Sequence, residues 1–354
     1  MSKNLLFLTP GLGKGGAETQ LLKIANYLKS RHYNLLIVCL RPLNDFAESS
    51  QLDNLEVIFL KSWPGNFAGN VRLLLKTVKS FKPNVVIAFM FIGILFARTL
   101  KLLFPFKLIS SVRNSVINRK WFLLFKISRR LDDALVFNAQ ASRVNFKRKG
   151  LSNDSKSLII HNAVTIPSIN YTYRSDEFVW ISIAHFRASK DYQTLFRAVP
   201  LLANSNFKLL ILGHTNGQTW PQEMIDEFGI GDKVQLLGFK TNALEYLQKS
   251  NALILSSFNE GMPNAIIEAM AFSKPVLASN IDGVKELLEA SGGGLLFQPG
   301  CPDELARQMD RMMEMSNKDL EDLGARGNSY VQDNFAEDII LNRWERLIQS
   351  HLNK

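Results

Sequence analysis

ALILSSFNEGMPNAIIEAMAFSKPVLASNIDG, residues 252–283, decides the fold. Ala252–Leu255 is an apolar run of strand length, and it stops at a polar, glycine-bearing loop. Pro263 suits the first turn of a helix, and Asn264 to Ala271 has helical composition. Pro275–Ala278 then reads as a second strand. Strand, loop, helix, strand at this spacing is the repeat unit of a parallel sheet covered by helices. The same rhythm runs outward in both directions. Leu5–Leu8, Leu35–Leu40, Val85–Phe89, Leu108–Ser111 and Ala134–Phe137 read as strands, as do Val179–Ala184, Leu209–Leu212 and Val234–Leu237. Amphipathic stretches separate several of them, and no internal repeat is evident.

The rhythm breaks once. TIPSINYTYRSDE, residues 165–177, is polar, contains Pro167 and lacks a helical period, so it reads as an interdomain linker. With 354 residues the chain is long enough for two cores. The expectation is an α/β protein of two Rossmann-like doubly wound sheets, residues 1–165 and 166–335. The C-terminal helix, about 336–354 with Ile339, Ile340, Trp344 and Leu347, is a candidate to pack back on the first domain. Ligands in such folds bind beyond the carboxyl ends of the strands, so a cleft between the domains is the expected site. Pro83 to Ala97 is the most apolar segment but is shorter than the about 20 residues of a membrane span, and reads as a buried strand leading into a helix.

Two cysteines, Cys39 and Cys301, and five scattered histidines give no disulfide framework and no metal-ligand spacing. With no signal peptide at the start, a reducing cytoplasm is the expected compartment. The charge is lopsided: residues 1–150 carry 24 Lys and Arg against 7 acids, while the rest carries 18 against 25. From Val57 to Leu131 there is no acidic residue at all. A positive field on the N-terminal half calls for an anionic partner: a membrane surface, a phosphorylated acceptor or nucleic acid.

Two loops carry the chemistry. After the first strand come Gly11, Gly13, Gly15 and Gly16, then a helix opening with Ala17, Glu18 and Thr19. Glycines let backbone approach an anion that the helix N-terminus attracts. Gly11-x-Gly13-x-x-Gly16 also fits a dinucleotide fingerprint, but the second strand ends Cys39-Leu40-Arg41, which suits NADP and not NAD. In the second loop, Glu260 precedes the helix and Glu268 lies within it, four residues after Asn264 on the same face. One carboxylate on each side of a helix N-terminus suits an anion flanked by sugar hydroxyls.

Glu260-Gly261-Met262-Pro263-Asn264, then Glu268-Ala269-Met270-Ala271, Pro275-Val276 and Gly283, closely resembles the signature of family 4 glycosyltransferases, retaining enzymes of the GT-B fold. Gly15-Gly16-Ala17-Glu18, Asn162 and Gly294-Leu295-Leu296-Phe297 match the family in the same order, so the resemblance spans nearly the whole chain. It implies that Glu268 accepts from a donor ribose, that Glu260 contacts the transferred sugar, and that backbone N–H groups of Gly261–Asn264 hold sugar and diphosphate. The family places an arginine and, about five residues on, a lysine on the diphosphate. Lys190 fits the lysine; His185 stands at the arginine position, and Arg187, two residues on, is expected to reach the phosphate instead. Arg113 departs from the family's histidine and could meet a charged sugar, a phosphate or the acceptor. Glu18, Arg113 and Asn162 are thus the sugar- or acceptor-facing candidates.

The implied reaction is transfer of a sugar from a UDP- or GDP-linked donor to a glycan or polyprenyl-diphosphate-linked acceptor in cell-surface polysaccharide synthesis. No cofactor and no metal is expected, because Asp132-Asp133 begins a predicted strand and no other DxD-like pair is placed to hold one. Arg187, Lys190 and helix N-termini would stabilise the leaving group. Retention implies acceptor attack on the face the diphosphate leaves. Basic and apolar residues interleave at Arg119-Lys120-Trp121-Phe122 and Phe125-Lys126…Arg129-Arg130, and Arg72, Lys76 and Lys79 recur at helical spacing. These predict peripheral attachment to the anionic inner face of the cell membrane. A nucleotide-sugar epimerase and an NADP-dependent oxidoreductase are the competing readings. A nucleic-acid binder is disfavoured by the absence of any recognised binding module.

Overall fold

A computed structural model describes residues 3–13, 15–113, 117, 119–167 and 177–353. The chain forms two compact units, residues 1–163 with 338–354, and 164–337. Of the linker read from sequence, residues 168–176 lie outside the described residues.

The first unit holds a seven-stranded sheet. Its strands are β1 (Asn4–Thr9), β2 (Asn34–Cys39), β3 (Glu56–Phe59), β4 (Val85–Phe89), β5 (Lys107–Val112), β6 (Ala134–Phe137) and β7 (Ser157–Ile159), and the helices between them are α1 (Gly16–Ser30), α2 (Trp63–Phe81), α3 (Met90–Lys101), α4 (Arg119–Ser128) and α5 (Gln140–Arg148). The strand order is β3-β2-β1-β4-β5-β6-β7, parallel at each pairing. Pro83 to Ala97 is strand β4 and the start of α3, as its length required. Among the described residues no helix is long and apolar enough to cross a membrane.

The second unit holds six parallel strands, β8 (Phe178–Ile183), β9 (Phe207–Leu212), β10 (Val234–Gly238), β11 (Ala252–Leu255), β12 (Val276–Ser279) and β13 (Gly294–Phe297), in the order β10-β9-β8-β11-β12-β13. Its helices are α6 (Tyr192–Ala198), α7 (Trp220–Glu227), α8 (Ala243–Lys249), α9 (Asn264–Ala271), α10 (Asp282–Ser291), α11 (Pro302–Met313) and α12 (Asn317–Phe335). The last helix, α13 (Glu337–Leu352), returns to the first unit. There Ile340, Trp344 and Ile348 join the core beside Phe7, Ile87 and Phe89, and Trp344 stacks on Phe89 with ring centres 6.1 Å apart.

Both sheets therefore have the doubly wound order with a topological switch point, between β1 and β4 in one unit and between β8 and β11 in the other. The fold class is GT-B: two Rossmann-like parallel-sheet units. Each switch point separates neighbouring strands whose loops open in opposite directions, which is where a ligand finds room. The glycine loop follows β1, and the loops bearing Lys190 and Glu260 follow β8 and β11. The topology thus brings residues 70 positions apart to one strand edge.

Candidate donor site

In the second unit the loops after β8 and β11 are tied together. The Phe258 amide donates to the Ser189 carbonyl at 2.8 Å, and Ser256 Oγ donates to the Lys190 carbonyl at 2.9 Å. Lys190 ends a short 3-10 turn at Ala188–Lys190. Asp191 follows at φ 46° and caps α6 by accepting from the Thr194 amide; burial pushes its carboxyl pKa up. This anchored turn aims the Lys190 ammonium at Glu260.

Glu260 is the centre of the arrangement. Its Oε1 accepts from Lys190 Nζ and, at 2.7 Å, from Ser257 Oγ. The lysine and glutamate side chains are 22% and 12% exposed, so the pair is shielded but reachable. Oε2 of Glu260 has no partner among the described residues and is available to a hydroxyl donor. Lys190 has two further ammonium hydrogens with which to meet an anion without releasing Glu260. The sequence names Glu260 and Lys190, and the structure joins them. It does not name Ser256 or Ser257, whose common residue type carries no signal.

Met262 is buried, Gly261 and Asn264 are half-buried, and α9 starts at Asn264. Pro263 is not in the first turn, as its sequence position suggested, but caps it with extended backbone (φ −76°, ψ 111°). Its carbonyl accepts from the Ile266 and Ile267 amides. A helix's first-turn amides lack intrahelical acceptors, which leaves this end electropositive. Asn264 and Glu268 share a half-buried face one turn apart. Gly283, near the start of α10, completes the fit. A Cβ there would lie 2.0 Å from the Gly261 carbonyl oxygen and 3.1 Å from that of Glu260. Only glycine lets α10 approach the Glu260 loop so closely.

The cationic neighbours divide. Arg187 is exposed; its carbonyl accepts from the Lys190 amide at 2.8 Å, and its guanidinium makes no hydrogen bond or ion pair among the described residues. His185 is held elsewhere: its Nδ1 accepts from the His214 amide at 3.1 Å, and its ring stacks on that of His214, which stacks on Phe239. The residue at the family's arginine position is thus committed to an aromatic stack, and Arg187 is the available cation of the loop.

In the first unit the glycine loop is pinned to the loop after β2 by Leu12 N–H to the Leu43 carbonyl and Asp45 N–H to the Leu12 carbonyl, both 2.8 Å. Cβ atoms at Gly11 and Gly13 would meet Leu43 at 3.1 and 3.2 Å, so these two glycines serve packing against Leu43. Gly15 caps α1, Gly16 opens it, and the Glu18 carboxylate lies against Gly15. Arg41 is exposed. At the carboxyl edge of the same sheet, Arg113 Nη1 donates to Asn162 Oδ1 at 2.7 Å, joining two candidates 49 positions apart. Asp132 and Asp133 precede β6, which begins at Ala134. Asp132 accepts from Arg98 and Ser110, and Asp133 from Lys101 and the Leu108 amide, so both carboxylates are used in the fold.

Residues 170–329, which include the Lys190–Glu260 pair, match the model of the family "Glycosyl transferases group 1". The match covers most of the second unit and a little under half of the chain. An uncharacterized glycosyltransferase of Methanocaldococcus jannaschii, MJ1059, is 27% identical over 255 residues, covering 64% of this chain and 63% of its own. The lipopolysaccharide core biosynthesis glycosyltransferase LpsD of Rhizobium meliloti is 27% identical over 166 residues, 47% of this chain and 48% of its own. The chain thus spans about half to two thirds of the length of these curated relatives. Among solved structures, HepE of Anabaena in complex with UDP and glucose superposes with a TM-score of 0.87 over 98% of this chain and 100% of its own, at 19% identity. At that identity the likeness is one of fold.

Proposed function

We propose that this chain is a group 1 glycosyltransferase of the retaining kind, one that moves a sugar from a UDP- or GDP-linked donor to a glycan or lipid-linked acceptor. The observation that carries the proposal is Glu260, fixed through Oε1 by Lys190 and Ser257 beside the N-terminus of α9, with Oε2 unpaired among the described residues. Glu260 Oε2 accepts a hydroxyl of the transferred sugar. Lys190, Arg187 and the first-turn amides of α9 meet the diphosphate and stabilise the charge that grows on it as the glycosidic bond breaks. Glu268 accepts from the ribose hydroxyls. The acceptor attacks from the face the diphosphate leaves, which retains the anomeric configuration, and no metal is required where cationic side chains and helix amides neutralise the leaving group. The printed descriptions of the relatives, lipopolysaccharide core biosynthesis among them, support cell-surface polysaccharide synthesis as the setting.

The first unit supports a membrane-side acceptor. On α4, Phe125 is buried and Trp121 and Phe122 are partly so, contrary to the outward role their interleaving with basic residues suggested. The helix instead exposes Leu123, Leu124 and Ile127, at 67, 52 and 70%, beside exposed Arg119, Lys126 and Arg130. An outward apolar face rimmed by cations suits the headgroup boundary of an anionic bilayer, and peripheral attachment to the inner face of the cell membrane follows.

The test is a panel of nucleotide sugars presented to the purified protein, scored by thermal shift and by turnover with and without EDTA, with the product's anomeric configuration read by NMR. The proposal expects one UDP- or GDP-sugar to be consumed in EDTA with retention. Turnover restored only by Mg²⁺ or Mn²⁺, or an inverted product, contradicts that part of it; epimerised donor without transfer replaces it with the epimerase reading.

A further inference from the structure

Arg98 and Arg113 are both buried in the first unit, at 1% and 8% exposure, but their guanidinium groups are treated differently. Arg98 is fully engaged. Its Nε and Nη2 grip the two oxygens of Asp132 at 2.9 and 2.5 Å, and Nη1 donates to the Phe125 carbonyl and Ser128 Oγ, both at 3.0 Å. Arg113 presents the same Nε–Nη2 edge, and among the described residues nothing pairs with it. Both atoms are buried, while Nη1 is spent on Asn162. The group lies over the rings of Phe89 and Trp344, 4.9 and 5.8 Å from their centres, and burial lowers its pKa to about 9.

The surroundings repeat the pattern. Side chains alternate across a strand, so Ser111 and Arg113 share a face of the sheet. Ser111 Oγ and, just past the end of β6, Asn138 Oδ1 are also buried without partners among the described residues. Native interiors pair the large majority of such groups, and a buried cation lacking an anion is among the costliest exceptions. Three at one carboxyl edge, beside a switch-point sheet's ligand-binding end, form a built polar site.

We propose that the Nε–Nη2 edge of Arg113 is an oxyanion site that takes a carboxylate or phosphate carried by a sugar substrate. The geometry is the one Asp132 already satisfies on Arg98, two parallel N–H donors matched to two oxygens of one group. The inference rests on the transferase reading only in naming a sugar as the carrier.

Calorimetric titration of the full chain with glucuronate, glucose 6-phosphate, inorganic phosphate and glucose, without nucleotide, tests the site independently of donor turnover. An anionic probe should bind at least about tenfold more tightly than glucose, the scale of one bidentate charged contact. Preference for glucuronate assigns the carboxylate, and preference for glucose 6-phosphate or phosphate assigns the phosphate. Arg113→Met should abolish the preference and raise the apo melting temperature by removing an unpaired buried cation, whereas loss of a structural arginine would lower it. Arg113→Lys, which keeps the charge without the fork, should lose most of the preference. Equal binding of all four probes to the wild type, or anion affinity unchanged in Arg113→Met or Arg113→Lys, overturns the proposal.

Discussion

Gly283→Ala tests whether the contact between α10 and the Glu260 loop sets the site's geometry. The added Cβ would fall 2.0 Å from the Gly261 carbonyl oxygen, where real Cβ contacts stay above 3.0 Å. Its neighbours are backbone atoms that no rotamer change can move aside. The loop or the start of α10 must therefore retreat by roughly an ångström, a displacement that can cost about a hundredfold in rate when it misplaces a reacting group. Overpacking of this kind also costs about 1–3 kcal/mol of stability. Nucleotide-sugar turnover and chemical denaturation of the variant should show both losses. Gly69→Ala is the control: it lies exposed in α2 with nothing within 4 Å of its would-be Cβ, and should be neutral or slightly stabilising. Wild-type turnover and stability in Gly283→Ala would refute the claim that this approach positions Glu260.

Three further outcomes follow from the same contacts. Asp132→Asn breaks a bidentate pair 1 and 2% exposed and should cost about 3–5 kcal/mol in urea denaturation, because it strands Arg98 without its counter-charge. Burial lowers the pKa of Lys274 to about 8, where its ammonium donates to the Ser250 carbonyl. Between pH 8 and the unfolded value of about 10.4 the unfolded chain binds more protons, so stability should rise with pH across that window, and Lys274→Met should lose that rise in pH-dependent denaturation. Replacing Leu123, Leu124 and Ile127 by serine, or reversing the charges of Arg119, Lys120, Arg129 and Arg130, should reduce salt-sensitive binding to anionic vesicles without unfolding the chain; equal partitioning onto neutral and anionic vesicles would remove the membrane claim.

The sheets were legible because parallel strands buried on both faces write themselves as apolar runs. Val85–Phe89, Ala134–Phe137 and Ala252–Leu255 coincide with observed strands. The strands that escaped are short and lie at sheet edges. Among them, β3 and β13 have only partly buried residues through most of their length, and β7 alternates with an exposed Leu158. Glu260 and Lys190 could be named from their spacing to glycine, proline and strand ends. Their hydrogen bond could not, since it depends on β8 and β11 being neighbours across the switch point. The fork of Arg113, unpaired among the described residues, was equally hidden, because a sequence shows an arginine but not what faces it. On α4 the alternation of basic and aromatic residues pointed to the right helix and the wrong side chains. Phe125 turns inward to stack on Phe91, ring centres 5.0 Å apart, and the aliphatic residues take the surface.

The central claim is that a nucleoside diphosphate sits against α9 with its ribose on Glu268. Isothermal calorimetry of UDP and GDP with the wild type and Glu268→Ala tests it most directly. One of the two nucleotides should bind the wild type, and the variant should bind it about 1–3 kcal/mol more weakly, the loss expected for hydrogen bonds to a charged carboxylate. Binding of neither nucleotide, or unchanged affinity in Glu268→Ala, would contradict the assignment.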